Sequence, residues 1–345
     1  CTNMTFDDLT IAHISGNAMN VVGGSRVTNL ALVNSHVYDI GFKGITLGGG
    51  SWAPYTASGN RVENCRIHSC GRIFKAYAPA IAAIGMDGEI KNNKLYDSDH
   101  MLVGAATGTQ ILNNEIYNAV LQSSDMGAIY WGRGVYTMGN TIKYNYFHDI
   151  GNIYGGYGQQ AIFWDDFATG PEIYGNIFYR GTNTNDNGGD PKTDNPLKTY
   201  YGQKSRVENN IIVDAPSGFG YSTYNYINHW MLFVYSVPNY DKGWKYWEKL
   251  EAVNYDSDSW KTHYQDTQWS WLNEYIKREY KQQLDAMSQA DKDAFEKQAH
   301  EFAKEHLFPE EGSNVFSKNI LAKVDVPVQI PSWAAANVKA EQNYS

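Results

Sequence analysis

The chain has 345 residues, only 19% of them charged, and a formal net charge of −9 at pH 7. An acidic chain of this kind is not expected to bind the phosphates of a nucleic acid. No apolar run is long enough to span a membrane. The many Gly (32) and Tyr (26) residues are typical of β proteins that bind sugars through aromatic faces, and we expect a secreted, periplasmic or cell-surface location.

The N-terminal residues already resemble repeat sequence. Residues 6–37 contain repeat-like segments, Leu9-Thr-Ile11 and Val27-Thr-Asn-Leu-Ala-Leu-Val33, and no initiator Met, signal peptide or capping helix precedes them. The end of a solenoid without a cap exposes a strand edge and apolar core. We therefore expect that the chain is a fragment of a longer secreted protein and that its N-terminal cap is missing.

An eight-residue pattern with a central Asn recurs along the chain. In its first seven copies one apolar residue holds a fixed place, and the places are separated by 30, 28, 21, 31, 31 and 34 residues. Such periods, with strand-like alternation and no amphipathic helix beside each copy, indicate a β-helix or a propeller rather than leucine-rich or ankyrin repeats. Asn suits the tight bends between strands and can bond its counterpart in the next turn. The copies begin at Leu32, Val62, Ile90, Ile111, Ile142, Ile173, Val207 and Phe316.

These repeats predict an all-β solenoid, a right-handed parallel β-helix, over residues 1–220. The three cysteines (Cys1, Cys65 and Cys70) have no metal-binding spacing. We interpret Cys65 and Cys70 as small buried residues rather than a disulfide.

A long interruption separates the seventh and eighth copies. The composition becomes helical after Asp241, with apolar residues at helical spacing between Tyr264 and Leu307. We predict a mainly α-helical insertion over residues 221–311, followed by a last β-helix turn and a tail over residues 312–345. Two roles stay open for the insertion: it covers the flank of the solenoid, or it forms a cleft wall that offers Trp230, Trp244, Trp247 or Trp260 for stacking.

Two similar segments carry the candidate chemistry. Ala128-Ile-Tyr-Trp131 and Ala161-Ile-Phe-Trp164 look like one strand in successive turns. Asp125 precedes the first, while Asp165 and Asp166 follow the second. Because neighbouring strands lie about 4.8 Å apart, two such carboxylates can reach the separations of glycosidases, roughly 5–5.5 Å or 6.5–9.5 Å.

Other interpretations of the same residues stay open. Asp125 is a common residue type for a turn beside Gly127, and one carboxylate of the pair Asp165 and Asp166 could be structural or could pair with Arg133. An Asp cluster can also hold Ca²⁺, as in lyases that act on uronates. Three functions therefore remain: hydrolysis by paired carboxylates, which we favour and which needs no cofactor, β-elimination, and glycan binding without catalysis.

Several side chains are candidates for binding a polysaccharide or oligosaccharide. Strand neighbours alternate in direction, so only about half of the aromatic residues in the two segments can face a cleft. For a lyase, the available bases are Lys75, Arg133 and His100. The predicted substrate-binding residues are Asp165, Arg133, His100, Tyr77, Trp164 and Tyr130.

Together these segments resemble bacterial β-helix enzymes of glycoside hydrolase family 141, which includes α-L-fucosidase and xylanase activities. The likeness implies cleavage of a plant or algal cell-wall polysaccharide or its side chains by two aspartates, Asp125 and Asp166. In this chain Gly134-Val-Tyr136 follows Arg133 where the family pattern has Asp-Trp, which leaves the substrate open. The likeness runs from about residue 60 to 215 and near Asn319, and loosely through the insertion; its segments are residues 72–80, 123–130, 144–149, 161–166 and 207–211.

Overall fold

The computed structural model describes residues 1–52, 55–132, 137–151, 158–166, 168–183, 194–222, 288 and 312–345. The predicted helical insertion, apart from residues 221, 222 and 288, lies outside these residues. Within the described ranges, no helix has the length and apolar character that crossing a membrane requires.

The described chain is built almost entirely from short strands. Two 3-10 helices, Gly24–Arg26 and Ser332–Asn337, are the exceptions among the described residues. The first strands are β1 (Thr2–Asp7), β2 (Thr10–Ile14), β3 (Met19–Val21), β4 (Thr28–Val33), β5 (His36–Ile40), β6 (Ile45–Leu47), β7 (Ser51–Trp52), β8 (Tyr55–Thr56), β9 (Arg61–Glu63), β10 (Arg66–Cys70), β11 (Ile81–Ala83), β12 (Glu89–Lys91), β13 (Lys94–Tyr96) and β14 (Val103–Gly104). The later strands are β15 (Gln110–Leu112), β16 (Glu115–Ala119), β17 (Met126–Trp131), β18 (Thr141–Lys143), β19 (Tyr146–Ile150), β20 (Gln159–Trp164), β21 (Glu172–Tyr174), β22 (Ile177–Tyr179), β23 (Leu197–Tyr200), β24 (Arg206–Glu208), β25 (Ile211–Ser222), β26 (Asn314–Ser317), β27 (Ile320–Gln329) and β28 (Val338–Glu341).

Three columns of parallel strands form the solenoid, because each turn supplies one strand to each column. The first column is β1-β4-β9-β12-β15-β18-β21-β24-β26-β28. The second is β2-β5-β10-β13-β16-β19-β22-β25, and the third is β3-β6-β11-β14-β17-β20-β23-β25, since the long β25 belongs to both. β27 pairs with β25, and β7 and β8 form a separate antiparallel hairpin. The prediction of a parallel β-helix is confirmed.

The core is a stack of apolar side chains contributed by successive turns. The fixed apolar place of the repeat faces inward in the second column, where Ile116 pairs with Phe147 and Phe147 with Phe178. All three side chains are fully buried. Burial of a side chain of this size contributes roughly 1.5–3 kcal/mol to stability.

Asparagine joins the turns at the first corner, which is the two-residue bend between the first and second columns. The second residue of the bend is a buried Asn in most turns. For example, the Asn114 backbone N and Nδ2 both donate to Asn145 Oδ1, at 2.8 and 2.9 Å. The ladder runs through Asn93, Asn114, Asn145, Asn176, Asn210, Asn319 and Asn343.

The first residue of each bend has the other property for which Asn was expected, a left-handed backbone. Asn was expected both to form the bend and to bond its counterpart in the next turn. In the structure, two adjacent residues have these roles: the first forms the bend and the second makes the bond. Asn343 also marks a further copy of the pattern, which the sequence analysis did not recognise. The left-handed residues of the first corner are Asp8, Asn34, Asn64, Asn92, Asn113, Tyr144, Gly175, Asn209, Lys318 and Gln342.

Cys65 and Cys70 are separate buried thiols, as predicted. Cys65 occupies the ladder place of its turn, and its backbone N donates to Asn93 Oδ1 at 2.8 Å.

The ladder predicts different effects for two adjacent substitutions. Asn145→Ala removes the oxygen that accepts both Asn114 donors, so we expect a loss of about 1–3 kcal/mol for each buried group left unsatisfied. Tyr144→Asn keeps a residue that tolerates a left-handed backbone at an exposed place, and should change stability by less than about 0.5 kcal/mol. Equilibrium unfolding in urea measures both; equal losses would contradict the role of the ladder.

Candidate functional site

The two segments singled out from the sequence are β17 and β20, which lie side by side in the third column. Ile129 pairs with Ile162 in the core, so the neighbouring pair Tyr130 and Phe163 faces outward. In the next turn Phe163 pairs with Lys198 of β23. Three successive turns therefore place Tyr130, Phe163 and Lys198 in one line outside the core, in which Tyr130 is partly buried and Phe163 and Lys198 are buried. Lys198 Nζ lies 5.5 Å from the centre of the Phe163 ring.

Asp165 follows β20 directly and is held by two hydrogen bonds. The Tyr130 hydroxyl donates to Asp165 Oδ2 at 2.9 Å, and the Asp166 backbone N donates to Asp165 Oδ1 at 2.9 Å. Burial raises the pKa of Asp165 to about 7, and the charges of Asp166 and Asp125 act in the same direction, whereas the Tyr130 hydrogen bond lowers it. Asp165 is therefore a carboxyl group that can hold a proton near neutral pH.

Asp125 lies at the start of β17, where the chain has a left-handed backbone. The next turn passes close to it at Gly158, where an added Cβ would lie 3.2 Å from Asp125 Cα. Gly158 in turn donates its N–H to Oδ1 of the fully buried Asp194 at 2.7 Å. Three successive turns thus bring two carboxylates to one place, with Gly158 between them.

Lys198 is the cation of this site. It is buried, and burial lowers its pKa, while the negative charges of Asp125, Asp165 and Asp194 raise it. We call Asp125, Asp165, Asp166, Asp194 and Lys198 the carboxylate cluster.

Lys198 and Asp194 were not among the residues predicted from the sequence. One signal could have found Lys198: the segment 197–199 occupies the same register as 162–164, so Lys198 continues the line of Tyr130 and Phe163.

Four of the predicted site residues meet in this place: Asp125, Tyr130, Asp165 and Asp166. Trp164 does not, and its predicted contact with substrate is corrected. Its ring is fully buried in the core, stacked 5.6 Å from Phe219, and its Nε1 donates to Ser205 Oγ at 2.9 Å. Arg133 lies outside the described residues.

His100 and Tyr77 lie on the same side of the solenoid, in the two turns that precede Asp125. Their ring centres are 4.9 Å apart. His100 is only 7% exposed, and its Nδ1 has no hydrogen-bond partner in the described part of the chain. Burial lowers the pKa of His100, so its imidazole is neutral at pH 7.

A metal site was an alternative for the Asp residues. Over the ranges that the structure describes, no three His, Cys, Asp or Glu side chains are grouped as metal ligands.

Comparisons with known proteins place the chain near no family. No family model matches it, and no curated protein sequence matches it. Among solved structures it is similar to the full-length plasmid-mediated fluoroquinolone resistance protein QnrB1, with 11% identity over 64% of this chain and 87% of that chain and a TM-score of 0.27. It is also similar to XylC, solved in complex with xylose, with 16% identity over 64% of this chain and 34% of that chain and a TM-score of 0.30. Likenesses this distant carry no argument about function.

The raised pKa of Asp165 predicts how stability depends on pH. The ordinary value is 3.8, and a carboxyl whose pKa is raised to about 7 on folding stabilises the fold below the ordinary value and loses that contribution as the pH rises through 7. We therefore expect the urea concentration at the unfolding midpoint of the wild type to decrease as the pH is raised from 4 to 7. In Asp165→Asn this decrease should be smaller. Asp8→Asn, at an exposed turn, should leave it unchanged. If the urea midpoints of the wild type and of Asp165→Asn changed in parallel with pH, the raised pKa of Asp165 would be contradicted.

Proposed function

We propose that the chain is a glycoside hydrolase in which Asp165 is the general acid and Asp125 is its partner. The observation that carries this proposal is the raised pKa of Asp165, whose carboxyl also accepts the Tyr130 hydrogen bond. A glycosidase needs one carboxyl that is protonated at its working pH beside another that is ionised. The likeness of these segments to glycoside hydrolase family 141 supports the same reaction.

In the proposed reaction Asp165 donates its proton to the glycosidic oxygen, and the bond from that oxygen to the anomeric carbon breaks. In one alternative the Asp125 carboxylate attacks the anomeric carbon, and water, deprotonated by Asp165, then hydrolyses the glycosyl-enzyme and releases the sugar. In the other, Asp125 takes a proton from a water that attacks the anomeric carbon directly. Lys198 lies within the electrostatic range of both carboxylates, whose charges raise its pKa against the lowering effect of burial.

Asp165 replaces Asp166 in this proposal. The resemblance favoured Asp166, but Asp166 is only 5% exposed, and its backbone amide is directed at Asp165. We infer that Asp166 acts through its charge, which raises the pKa of Asp165.

The experiment measures turnover of neutral polysaccharides by wild type, Asp165→Asn, Asp166→Asn and Asp125→Asn. General acid catalysis contributes about 10²- to 10⁴-fold, so Asp165→Asn should lower kcat/KM by that factor. The same variant should lose far less on an aryl glycoside whose leaving group needs no protonation. We expect wild-type activity to decrease above pH 7, where Asp165 loses its proton, and Asp165→Asn to remove this decrease.

Three outcomes of this experiment are decisive. Asp8→Asn serves as the control and should have wild-type activity. Unchanged turnover in both Asp165→Asn and Asp125→Asn would refute the carboxylate pair. A large loss in Asp166→Asn alone would restore the assignment that the resemblance implied.

A polysaccharide lyase is the second candidate, and one observation favours it. Burial lowers the pKa of Lys198, and a lowered pKa makes a lysine better suited to act as the base that abstracts the proton next to a uronate carboxylate. Such a reaction releases an unsaturated uronate that absorbs in the near ultraviolet. Products from polygalacturonate or alginate that absorb there, and that disappear with Lys198→Met, would support the lyase over the hydrolase.

A further inference from the structure

A row of rings leads away from the carboxylate cluster along the second corner, where the chain passes from the second to the third column. Phe42 and Phe74 lie in successive turns with their ring centres 5.3 Å apart, because Phe74 N bonds Gly41 O at 3.0 Å. Tyr77 follows Phe74 in the same loop and contacts His100 of the next turn. We call Phe42, Phe74, Tyr77 and His100 the aromatic row.

Hydrogen bonds connect the row to the cluster. Lys75, which lies between Phe74 and Tyr77, reaches Asp99 at 2.7 Å and Gln122 Oε1 at 2.8 Å in the following two turns. Gln122 lies three residues before Asp125 in the same loop. With about 4.8 Å between turns, the three steps from Phe42 to Asp125 extend roughly 14 Å, which is enough for several linked sugars.

The row has two properties of an unfilled binding surface. Phe74 and Tyr77 are 59% and 53% exposed, although side chains of this size usually pack in a core or against a ligand. His100 Nδ1 is buried without a partner among the described residues, and a buried polar atom of this kind lacks a hydrogen bond that a ligand hydroxyl could supply.

The charges of the row indicate an uncharged ligand. Arg72 forms an ion pair with Asp39, and Lys75 forms one with Asp99. These two cations are therefore already paired with carboxylates, and the exposed ring of Phe74 lies between them in the sequence. The third cation beside the row, Lys43, lies over the Phe42 ring, with its Nζ 5.1 Å from the ring centre. Uronate carboxylates would meet acidic side chains at both ends of the row: Asp39 at one end and the four Asp residues of the carboxylate cluster at the other.

From these observations we propose that the aromatic row binds an extended neutral polysaccharide and directs it towards Asp125 and Asp165. The inference rests on the proposed function, since it assigns a substrate class to the same site. It further implies action on a polymer rather than on a single terminal sugar.

The test measures binding, so it does not depend on turnover. Affinity electrophoresis compares migration in gels that contain arabinoxylan, galactomannan or mixed-linkage β-glucan with migration in gels that contain polygalacturonate or alginate. We expect at least one neutral polymer to retard the wild type, and Tyr77→Asn to weaken that retardation about 2- to 12-fold, the effect of one aromatic contact. Phe74→Ala should act in the same direction.

Tyr144→Asn is the matched control. Tyr144 is 57% exposed and, like Tyr77, has a left-handed backbone, but it lies at the first corner, away from the row. Asn tolerates that backbone at both positions, so the two variants differ only in where a ring is lost. Tyr144→Asn should bind as the wild type does.

The outcomes separate this inference from the proposed function. Binding that depends on Tyr77, in a wild type that hydrolyses none of the polymers, would support the row and refute the hydrolase. Hydrolysis that Asp165→Asn abolishes, with equal binding by Tyr77→Asn and Tyr144→Asn, would support the hydrolase and refute the row. Retardation by the acidic polymers alone, or by no polymer, would overturn the inference.

Discussion

Strict register between turns is the constraint on which the rest of the structure depends, and the buried Asn ladder enforces it. An Asn side chain inside the solenoid must find partners, and Asn145 finds them in the turns on either side: its Nδ2 donates to Asn176 Oδ1 of the next turn and to Ile111 O of the preceding turn. A slip of one residue would leave these amides unpaired and would direct the core side chains outward. Stacked rings such as Tyr96 and Tyr117, whose centres are 4.8 Å apart, follow from the same register.

Register also creates the electrostatics of the carboxylate cluster. It brings residues that are distant in sequence into adjacent turns, and it places Lys198 beside Phe163 and near three carboxylates. Buried carboxylates without a cation would be costly, so Lys198 offsets a repulsion that the stacking itself imposes. The negative charges of Asp166 and Asp125 add to the effect of burial and raise the pKa of Asp165, and a raised pKa is what a general acid needs.

The repeat could be predicted from the sequence because its period and its alternation are both local. The site could be predicted only in part. Asp125, Asp165 and Tyr130 flank or belong to a recognisable strand, whereas Asp194 precedes a strand that no motif marks. Trp164 was misplaced because its neighbour in the strand, Phe163, is also large and aromatic, so alternation alone could not decide which of the two faced inward. The choice between Asp165 and Asp166 needed the backbone, since it is the turn after β20 that directs the Asp166 amide at Asp165.

The first corner has a constant length and the second a variable one, and this difference explains where the candidate site lies. The first corner has two residues in every described turn. In most turns these are a left-handed residue followed by the ladder Asn. The number of residues between the strands at the second corner varies from four between Ile40 and Ile45 to seventeen between Tyr179 and Leu197, and in the turn of β25 the strand continues through this corner without a break. Length can change there without disturbing the register that the first corner maintains. Asp125, Asp194 and the aromatic row all lie at this variable corner, so one corner holds the scaffold in register while the other is free to carry a site.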